Sequence, residues 1–397
     1  MSRSVRVHWI GRRVDCTMSL VVGIDASRIR SGGGKAHLIG ILSSLDPARH
    51  GILEIHVWSF QALLDSIPNR SWLVKHNPSA LEKSLAKQLW WQTVHLSQEV
   101  KEAGCDILFT ADASTLCRFR PMVVLSHDML SYEPGVMRYF GYGYAGLRLL
   151  AIAYLQNAAF RRAEGVIFLT QYTAKVIQGS CGRIENYALI PHGISKEFMT
   201  IQPTTTWPLN GGRPIQCLYV SPIWLFKHQW VTVRAIEMLR AKGHDIVLTL
   251  AGDGDDDAKL RLSKQIATSD PTGVFVKLLG NVEHKAIPDL LANADMFIFA
   301  SSCENMPNTV LEAMAAGLPI ACSNRDPMPE ILADGGIYFD PEDADSIAAA
   351  IEKIIANPEL RLSIAKRAKV LSEQYSWLRC AEETFAFIAE TYKSIKA

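Results

Sequence analysis

Short apolar runs alternate with helical patterns along most of the chain. Runs rich in Val, Ile and Leu, bounded by turn residues and separated by segments of helical period, are typical of parallel strands whose sheet is covered on both faces. The pattern predicts an α/β protein with two doubly wound parallel sheets. The predicted strands of the first half are LVVGID, DILFTADAS, PMVVLSHDML, GVIFLT and YALIPHGIS, and those of the second half are IQCLYVSPI, DIVLTLAGDG, GVFVKLLGNV, DMFIFASS and LPIACSN.

One segment between the two halves fits neither period. In FMTIQPTTTWPLNGGRPIQ, prolines, threonines and a Gly-Gly pair break the pattern, which favours a linker. Two such domains place their ligand-facing loops at the carboxyl ends of their strands, so the cleft between them is the expected site. The predicted division is an extension outside the fold at 1–17, a first domain at 18–205, a second domain at 206–375 and a C-terminal helix, packed back on the first domain, at 376–397.

Composition narrows the class of protein. At 397 residues the chain exceeds what one core usually supports, and 41 Lys and Arg against 40 Asp and Glu argue against nucleic-acid binding. Cysteines without a C-x-x-C pair are expected to be reduced, buried thiols of a cytoplasmic protein. The longest apolar run, Leu147 to Phe160, is too short and too polar to span a bilayer, and the basic N-terminus lacks the apolar core of a secretory signal.

Two glutamates flank a predicted helix start in SSCENMPNTVLEAMAAGLPIACS. Glu304 falls in the loop after a strand, and Glu312 lies about one turn inside the next helix, which Asn305 or Asn308 is expected to cap. A helix N-terminus suits a phosphate, and a carboxylate one turn farther in can accept two hydrogen bonds from a ribose. Glu304 would then lie nearer the group that the phosphates carry. The alternative is a capping-loop glutamate and a solvated helix glutamate.

Three further sites carry candidate chemistry. The glycines Gly32 to Gly34 follow the first strand, where bare backbone can approach a diphosphate; the alternative is a flexible loop. Lys227 follows a strand of the second half and can neutralise a leaving phosphate, although a lone loop lysine is usually solvated. His127 and Asp128 end a strand of the first half, where polar groups are either functional or structural caps.

The order of these motifs resembles family 4 of the retaining glycosyltransferases. The motifs are the glycine loop, HD after a middle strand, LTQYTAKVI, IPHGIS, YVS followed by a lysine, LAGDGD, LLGNV and ENMPNTVLEAMAAGLPIACS. The likeness runs from about Leu20 to the C-terminus, and its most specific element is the pair of glutamates with seven residues between them. It implies a GT-B architecture, in which two facing Rossmann-like domains hold a nucleotide sugar in the cleft.

The resemblance also implies roles for individual residues. Catalytic roles fall on Glu304, which faces the donor sugar, and on His127, which faces the sugar and the acceptor. The implied donor-binding residues are Gly32, Gly33 and Gly34 over the diphosphate, Ser221 and Lys227 near the phosphates, Val282 at the base, Asn305 and Met306 at the sugar, Asn308 and Thr309 at the phosphates, and Glu312 at the ribose.

One feature departs from that family. An Arg usually precedes the Lys, whereas this chain has Ser221 and Pro222 at those places, so Lys227 and the helix N-terminus carry more of the phosphate charge. Sugar transfer with retained configuration needs a stabilised leaving group and an acceptor hydroxyl that is deprotonated on the same face of the sugar. The departing phosphate oxygen can take that proton. No cofactor is expected, and GDGDDD, Gly252 to Asp257, is expected to close a turn rather than to hold a metal.

The substrates are predicted only by class. Guanine presents two adjacent donors that a carboxylate can accept together, so the acidic loop favours a GDP sugar such as GDP-mannose or a deoxy relative. The general character of the chain resembles bacterial surface-polysaccharide (O-antigen type) mannosyl- and rhamnosyltransferases, hence a lipid-linked oligosaccharide acceptor. The aromatic and basic stretch from Val136 to Gly165 is either a peripheral contact with the inner membrane or a core helix. Alternative functions are a non-catalytic nucleotide-sugar-binding partner subunit and a sugar-nucleotide epimerase.

Overall fold

The computed structural model describes residues 19–30, 32–141, 143–202, 207–208 and 212–397. The predicted extension at 1–17 lies outside these ranges, as do residues 203–206 and 209–211 of the predicted linker. The described chain folds into two α/β units with all-parallel sheets, of seven and six strands, so the predicted fold class is confirmed.

The first sheet has the order β3-β2-β1-β4-β5-β6-β7. Its central strands are short apolar runs that are buried on both faces, because helices cover each side, whereas the edge strands β3 and β7 are partly exposed. The strands are β1 Leu20–Asp25, β2 Ile52–Trp58, β3 Leu73–His76, β4 Ile107–Thr110, β5 Met122–Leu125, β6 Gly165–Phe168 and β7 Tyr187–Leu189. The helices are α1 Gly32–Ser44, α2 Gln61–Leu64, α3 Leu85–Val94, α4 Leu96–Glu102, α5 Met137–Phe140, α6 Tyr144–Arg162, α7 Gln171–Cys181 and α8 Lys196–Met199.

The second sheet has the order β10-β9-β8-β11-β12-β13. The strands are β8 Ile215–Val220, β9 Ile246–Ala251, β10 Val276–Leu278, β11 Met296–Phe299, β12 Ile320–Ser323 and β13 Ile337–Phe339. The helices are α9 Gln229–Ala241, α10 Asp256–Ser269, α11 Ile287–Ala292, α12 Asn308–Ala315, α13 Met328–Leu332, α14 Ala344–Ala356, α15 Pro358–Ser372 and α16 Trp377–Lys396.

Strand order reverses once in each sheet, between β1 and β4 and between β8 and β11. At such a point the loops leave the sheet in opposite directions and open a crevice at the carboxyl ends of the strands. The segments that follow β1, β8 and β11 carry the glycines at the start of α1, Lys227 and Glu304, respectively. Topology therefore brings these three sequence features to the same cleft.

Helix α16 returns from the second domain to the first. Gly40 of α1 lets it approach closely, because a Cβ added there would lie 2.3 Å from the ring of Trp377. At the other end, the hydroxyl of Tyr392 donates to Asp106 Oδ1 at 2.9 Å. The chain thus crosses the cleft twice, and α16 ties the end of the second domain to the first.

None of the helices within the described ranges combines the length and the apolar character needed to cross a bilayer. The seven cysteines in those ranges are buried and free.

Candidate active site

Lys227 and Glu304 form an ion pair at the strand-order reversal of the second domain. Lys227 ends a short 3-10 turn after β8, and Glu304 lies in the loop after β11. Both side chains are nearly enclosed, at 9% and 12% exposure, and Lys227 Nζ lies 5.3 Å from the centroid of the Phe299 ring. A lysine in such a nearly enclosed ion pair can bind a phosphate instead of the glutamate. The glutamate can then interact with a positive charge.

Glu312 is buried, with 7% of its surface exposed, rather than solvated. Its Oε1 lies 2.9 Å from Nε2 of His284, in the turn before α11. Burial raises the pKa of the Glu312 carboxyl and the hydrogen bond to His284 opposes that rise, while the same bond raises the pKa of His284. The hydrogen bond to His284 therefore offsets the free-energy cost of burying the Glu312 carboxylate. The carboxylate still has lone pairs that can accept other hydrogen bonds.

The expectation that Asn305 or Asn308 caps helix α12 is wrong. Pro307 stands at the capping position without a side-chain bond, and Asn308 is the first helical residue. Oδ1 of Asn308 instead lies 2.8 Å from Nδ1 of His192 in the first domain. The first-turn N–H groups of α12 are consequently not occupied by either asparagine side chain, since both turn to the opposite domain.

Asn305 is the centre of the contact between the two domains. Its Oδ1 accepts from the hydroxyl of Thr173 at 2.8 Å, and its Nδ2 donates to the carbonyl of Ser126 at 3.0 Å. Met306 next to it accepts a hydrogen bond at Sδ from the backbone N–H of His192 at 3.2 Å. The segment that follows Glu304 is thus held by the first domain.

Gly32 to Gly34 form the first turn of helix α1 rather than the expected loop, and they pack against imidazoles at the floor of the cleft. A Cβ added at Gly34 would lie 3.3 Å from the ring of His127, and one at Gly33 would lie 3.4 Å from it. His37, His127 and His192 have ring centroids 5.0 to 6.0 Å apart. Burial lowers the pKa of His127 and, to about 3, that of His192, so both rings are neutral near pH 7. A neutral imidazole can donate at one nitrogen and accept at the other.

The ion pair, the segment that follows it and two of the imidazoles line one cavity of about 370 Å³ between the domains. Its walls combine backbone and imidazole of the first domain with the charged pair of the second. The lining residues are Gly33, His127, Asp128, Met129, Leu130, Leu169, His192, Pro222, Trp224, Phe226, Lys227, Cys303, Glu304, Asn305 and Met306.

The other predicted residues are not among those that line this cavity. Ser221 directly follows β8, and its hydroxyl donates to the carbonyl of Pro222 at 2.9 Å. Val282 is half-buried in the loop before His284, and Thr309 is half-buried on the first turn of α12. Gly32 adopts the left-handed backbone, with φ of 66°, that favours glycine at the start of α1.

The acidic loop uses its carboxylates within the chain. Asp255 caps helix α10 by accepting from the N–H groups of Asp257 and Ala258, and Asp253 pairs with Lys259 at 3.1 Å. Among the described residues, no three His, Cys, Asp or Glu side chains are grouped so as to hold a metal ion.

Sequence reasoning missed several residues of the cleft. His192 ends a predicted strand, in IPHGIS, so the argument applied to His127 could have found it. Glu133 accepts from the hydroxyl of Tyr172 at 2.9 Å, and burial raises the pKa of its carboxyl to about 7, with Asp326 and Glu304 adding to the rise. No local pattern marks Glu133 or Thr173, because their partners lie far away along the chain.

Two facing Rossmann-like domains with this cleft define the GT-B class of glycosyltransferases. Residues 209–371 match the family model of group 1 glycosyl transferases. This match lies within the second domain, and the chain as a whole has the GT-B fold.

Known proteins are similar over different lengths. O-antigen chain mannosyltransferase B of Escherichia coli is 34% identical over 110 residues, which cover 28% of this chain and 29% of that protein. An uncharacterized glycosyltransferase of Haemophilus influenzae is 23% identical over 312 residues, 76% of this chain and 82% of that one. The crystal structure of Anabaena HepE with UDP and glucose superposes with a TM-score of 0.68 at 20% identity, covering 94% of this chain and 99% of that chain.

Proposed function

We propose that this protein is a retaining, metal-independent glycosyltransferase that moves a sugar from a nucleotide sugar to a lipid-linked oligosaccharide in surface-polysaccharide biosynthesis. The bond between the anomeric carbon and the phosphate oxygen breaks, the acceptor oxygen bonds to the same face, and the departing phosphate takes the acceptor proton. The observation that carries this proposal is the ion pair of Lys227 with Glu304 in a cavity shared by both domains.

A bound nucleotide-sugar donor would supply the phosphate groups that Lys227 and the N-terminus of α12 can bind. Its diphosphate would accept from the first-turn N–H groups of α12 and attract Lys227, because two negative charges outweigh the single carboxylate. Glu304, released from the lysine, would then stabilise the positive charge that develops on the sugar ring. Glu312 would accept from the ribose, and neutral His127 would orient the sugar or the acceptor hydroxyl.

A mannosyl donor is proposed on similarity rather than on the acidic loop. The expectation of guanine rests on the acidic loop from Asp253 to Asp257, of which Asp253 and Asp255 are engaged within the chain. The region of identity with an O-antigen mannosyltransferase supports a mannosyl group, and we propose GDP-mannose or a related GDP sugar as the donor.

Helix α6 supports a membrane contact on the acceptor side. Tyr144, Leu147, Leu150 and Tyr154 recur at helical spacing and are 85%, 63%, 56% and 73% exposed. Exposed apolar residues on a helix can enter the headgroup region, where a lipid-linked acceptor would be met. Within the predicted stretch from Val136 to Gly165, the basic residue Arg138 is paired with Glu342 and the aromatic residue Tyr142 lies outside the described residues.

Vesicle co-sedimentation tests that contact. Leu147→Gln with Leu150→Gln should abolish pelleting with anionic vesicles, because both side chains leave the apolar face. Leu260→Gln is the matched control, since Leu260 is 55% exposed on the second domain. Equal pelleting of the double variant and the control would show that α6 does not bind lipid.

A thermal-shift panel of nucleotide sugars, followed by product analysis, tests the transfer itself. A donor at 100 times its Kd should stabilise the protein by about 2.7 kcal/mol. Transfer only in the presence of acceptor would support the proposal. Binding without any turnover would indicate the partner subunit, and a changed sugar nucleotide without acceptor would indicate an epimerase. If no nucleotide sugar raises Tm, the proposal fails.

A further inference from the structure

A second cavity, of about 430 Å³, opens beside the first. Gly33, His127 and Asp128 line both cavities, so the two spaces meet at the floor of the cleft. Every residue that lines the second cavity belongs to the first domain. A ligand in it would therefore contact the first domain alone and would meet the first cavity at Gly33, His127 and Asp128.

Arg28 lines this second cavity without a partner. Its Nη1 is buried, and no acceptor in the described part of the chain hydrogen-bonds to it. The arginine ion pairs of the described residues do not include Arg28. A guanidinium that lines a cavity and has no ion pair in the described part of the chain favours an anionic ligand in that cavity.

Arg30, two residues after Arg28, adds a second positive charge at the cavity wall. Its Nη2 donates to the carbonyl of Leu81 at 3.1 Å and its guanidinium lies 3.9 Å from the centroid of the Phe60 ring, so both of these partners are neutral. Burial lowers the pKa of the Arg30 guanidinium, Glu82 opposes that shift and the charge of Arg28 adds to it. The two guanidinium groups are therefore within electrostatic range of each other.

Two carboxylates in the same walls provide a different kind of contact. Asp112 Oδ1 accepts from the N–H of Ser114 at 2.7 Å, and Asp128 Oδ1 accepts from the N–H of Leu130 at 2.9 Å. Each carboxylate has further lone pairs, which suit the hydroxyl groups of a sugar. The cavity thus offers acceptors for hydroxyls together with donors for an anion.

On the basis of the proposed function, we infer that Arg28, assisted by Arg30, binds an anionic group of the acceptor, while Asp112 and Asp128 accept from its hydroxyls. The planar fork of a guanidinium matches both phosphate and carboxylate oxygens. The anion is therefore either a phosphate, as in the linkage of a sugar to its lipid carrier, or the carboxylate of an acidic sugar residue.

Isothermal titration without donor tests this site with three probes: inorganic phosphate, glucuronic acid and glucose. We expect phosphate or glucuronic acid to bind the wild-type protein and to bind Arg28→Gln at least tenfold more weakly. Arg28→Lys should restore part of the affinity, because it keeps the charge. Arg118→Gln, which changes an exposed arginine of the same domain, is the matched control and should bind as the wild type does.

The probes separate the two sources of the anion. An Arg28-dependent loss for phosphate alone identifies a phosphate, and a loss for glucuronic acid alone identifies an acidic sugar. Unchanged affinity in Arg28→Gln, or no binding of either anion to a wild-type protein that melts normally, would overturn the inference. Lys227→Gln alters the donor side and should leave the Arg28-dependent binding in place. Because no turnover is measured, the anion site and the transferase activity can fail independently.

Discussion

Breaking the contact between Asn305 and the first domain should slow sugar transfer. Asn305 is 7% exposed, and its two side-chain bonds reach Thr173 and Ser126 on the opposite side of the cleft. Because these bonds hold the segment that follows Glu304, we expect them to favour the arrangement of the two domains described above, called closed here, in which both domains line the cavity with Glu304.

The structure sets the size of the effect. Removing one partner from a buried hydrogen bond costs about 1–3 kcal/mol, because the group left behind is desolvated. Thr173→Val leaves Asn305 Oδ1 without its donor, so closure should weaken by about 1.5 kcal/mol, or about tenfold. Asn305→Ala removes both bonds and should weaken closure by about 3 kcal/mol, which lowers kcat by up to about 150-fold.

Steady-state kinetics with the donor found in the panel measure this prediction. Thr173→Ser keeps the hydroxyl and should retain most of the activity, and Thr200→Val, which removes an exposed hydroxyl bonded to Glu197, is the matched control. The double variant of Thr173→Val and Asn305→Ala should be no slower than Asn305→Ala, because both changes remove the same bond. Additive losses, or a kcat for Asn305→Ala within twofold of the wild type, would refute the reasoning.

Three further predictions concern the two glutamates, the need for a metal ion and the titration of Glu133. Glu312→Ala should weaken nucleotide binding in isothermal titration, whereas Glu304→Ala should reduce turnover more than affinity; variants that both stay within twofold of the wild type would contradict this assignment. Activity should survive EDTA, and a complete loss restored by manganese would move the site to Asp253 and Asp255. The pKa of Glu133 is raised from its usual value of 4.5 to about 7 in the folded protein. Its protonated form therefore contributes stability that is fully present below pH 4.5 and is lost as the pH rises through about 7. In thermal melts Glu133→Gln should therefore match the wild type near pH 4.5 and exceed it near pH 8; parallel curves would exclude Glu133 as the titrating group.

Local patterns in the sequence were sufficient for the two sheets and for the position of the two glutamates. A run such as MFIF forms a buried strand because parallel sheets covered on both faces need apolar residues throughout. Pro307 and the apolar face of α12 placed Glu312 one turn inside a helix, since helical periodicity depends only on nearby residues. The strand ends likewise predicted that Lys227 and Glu304 lie at one edge of the second sheet.

Tertiary structure alone decided which groups these residues meet. Asn305 was expected to cap the helix next to it, yet its side chain binds Thr173 and Ser126, 132 and 179 residues away in sequence. Glu312 was open to interpretation as a solvated residue until the fold placed it beside His284, which makes its burial tolerable. The physical reason is that local periodicity determines the helix or strand on which a residue lies. The packing of the two sheets against each other determines which distant residues its side chain contacts.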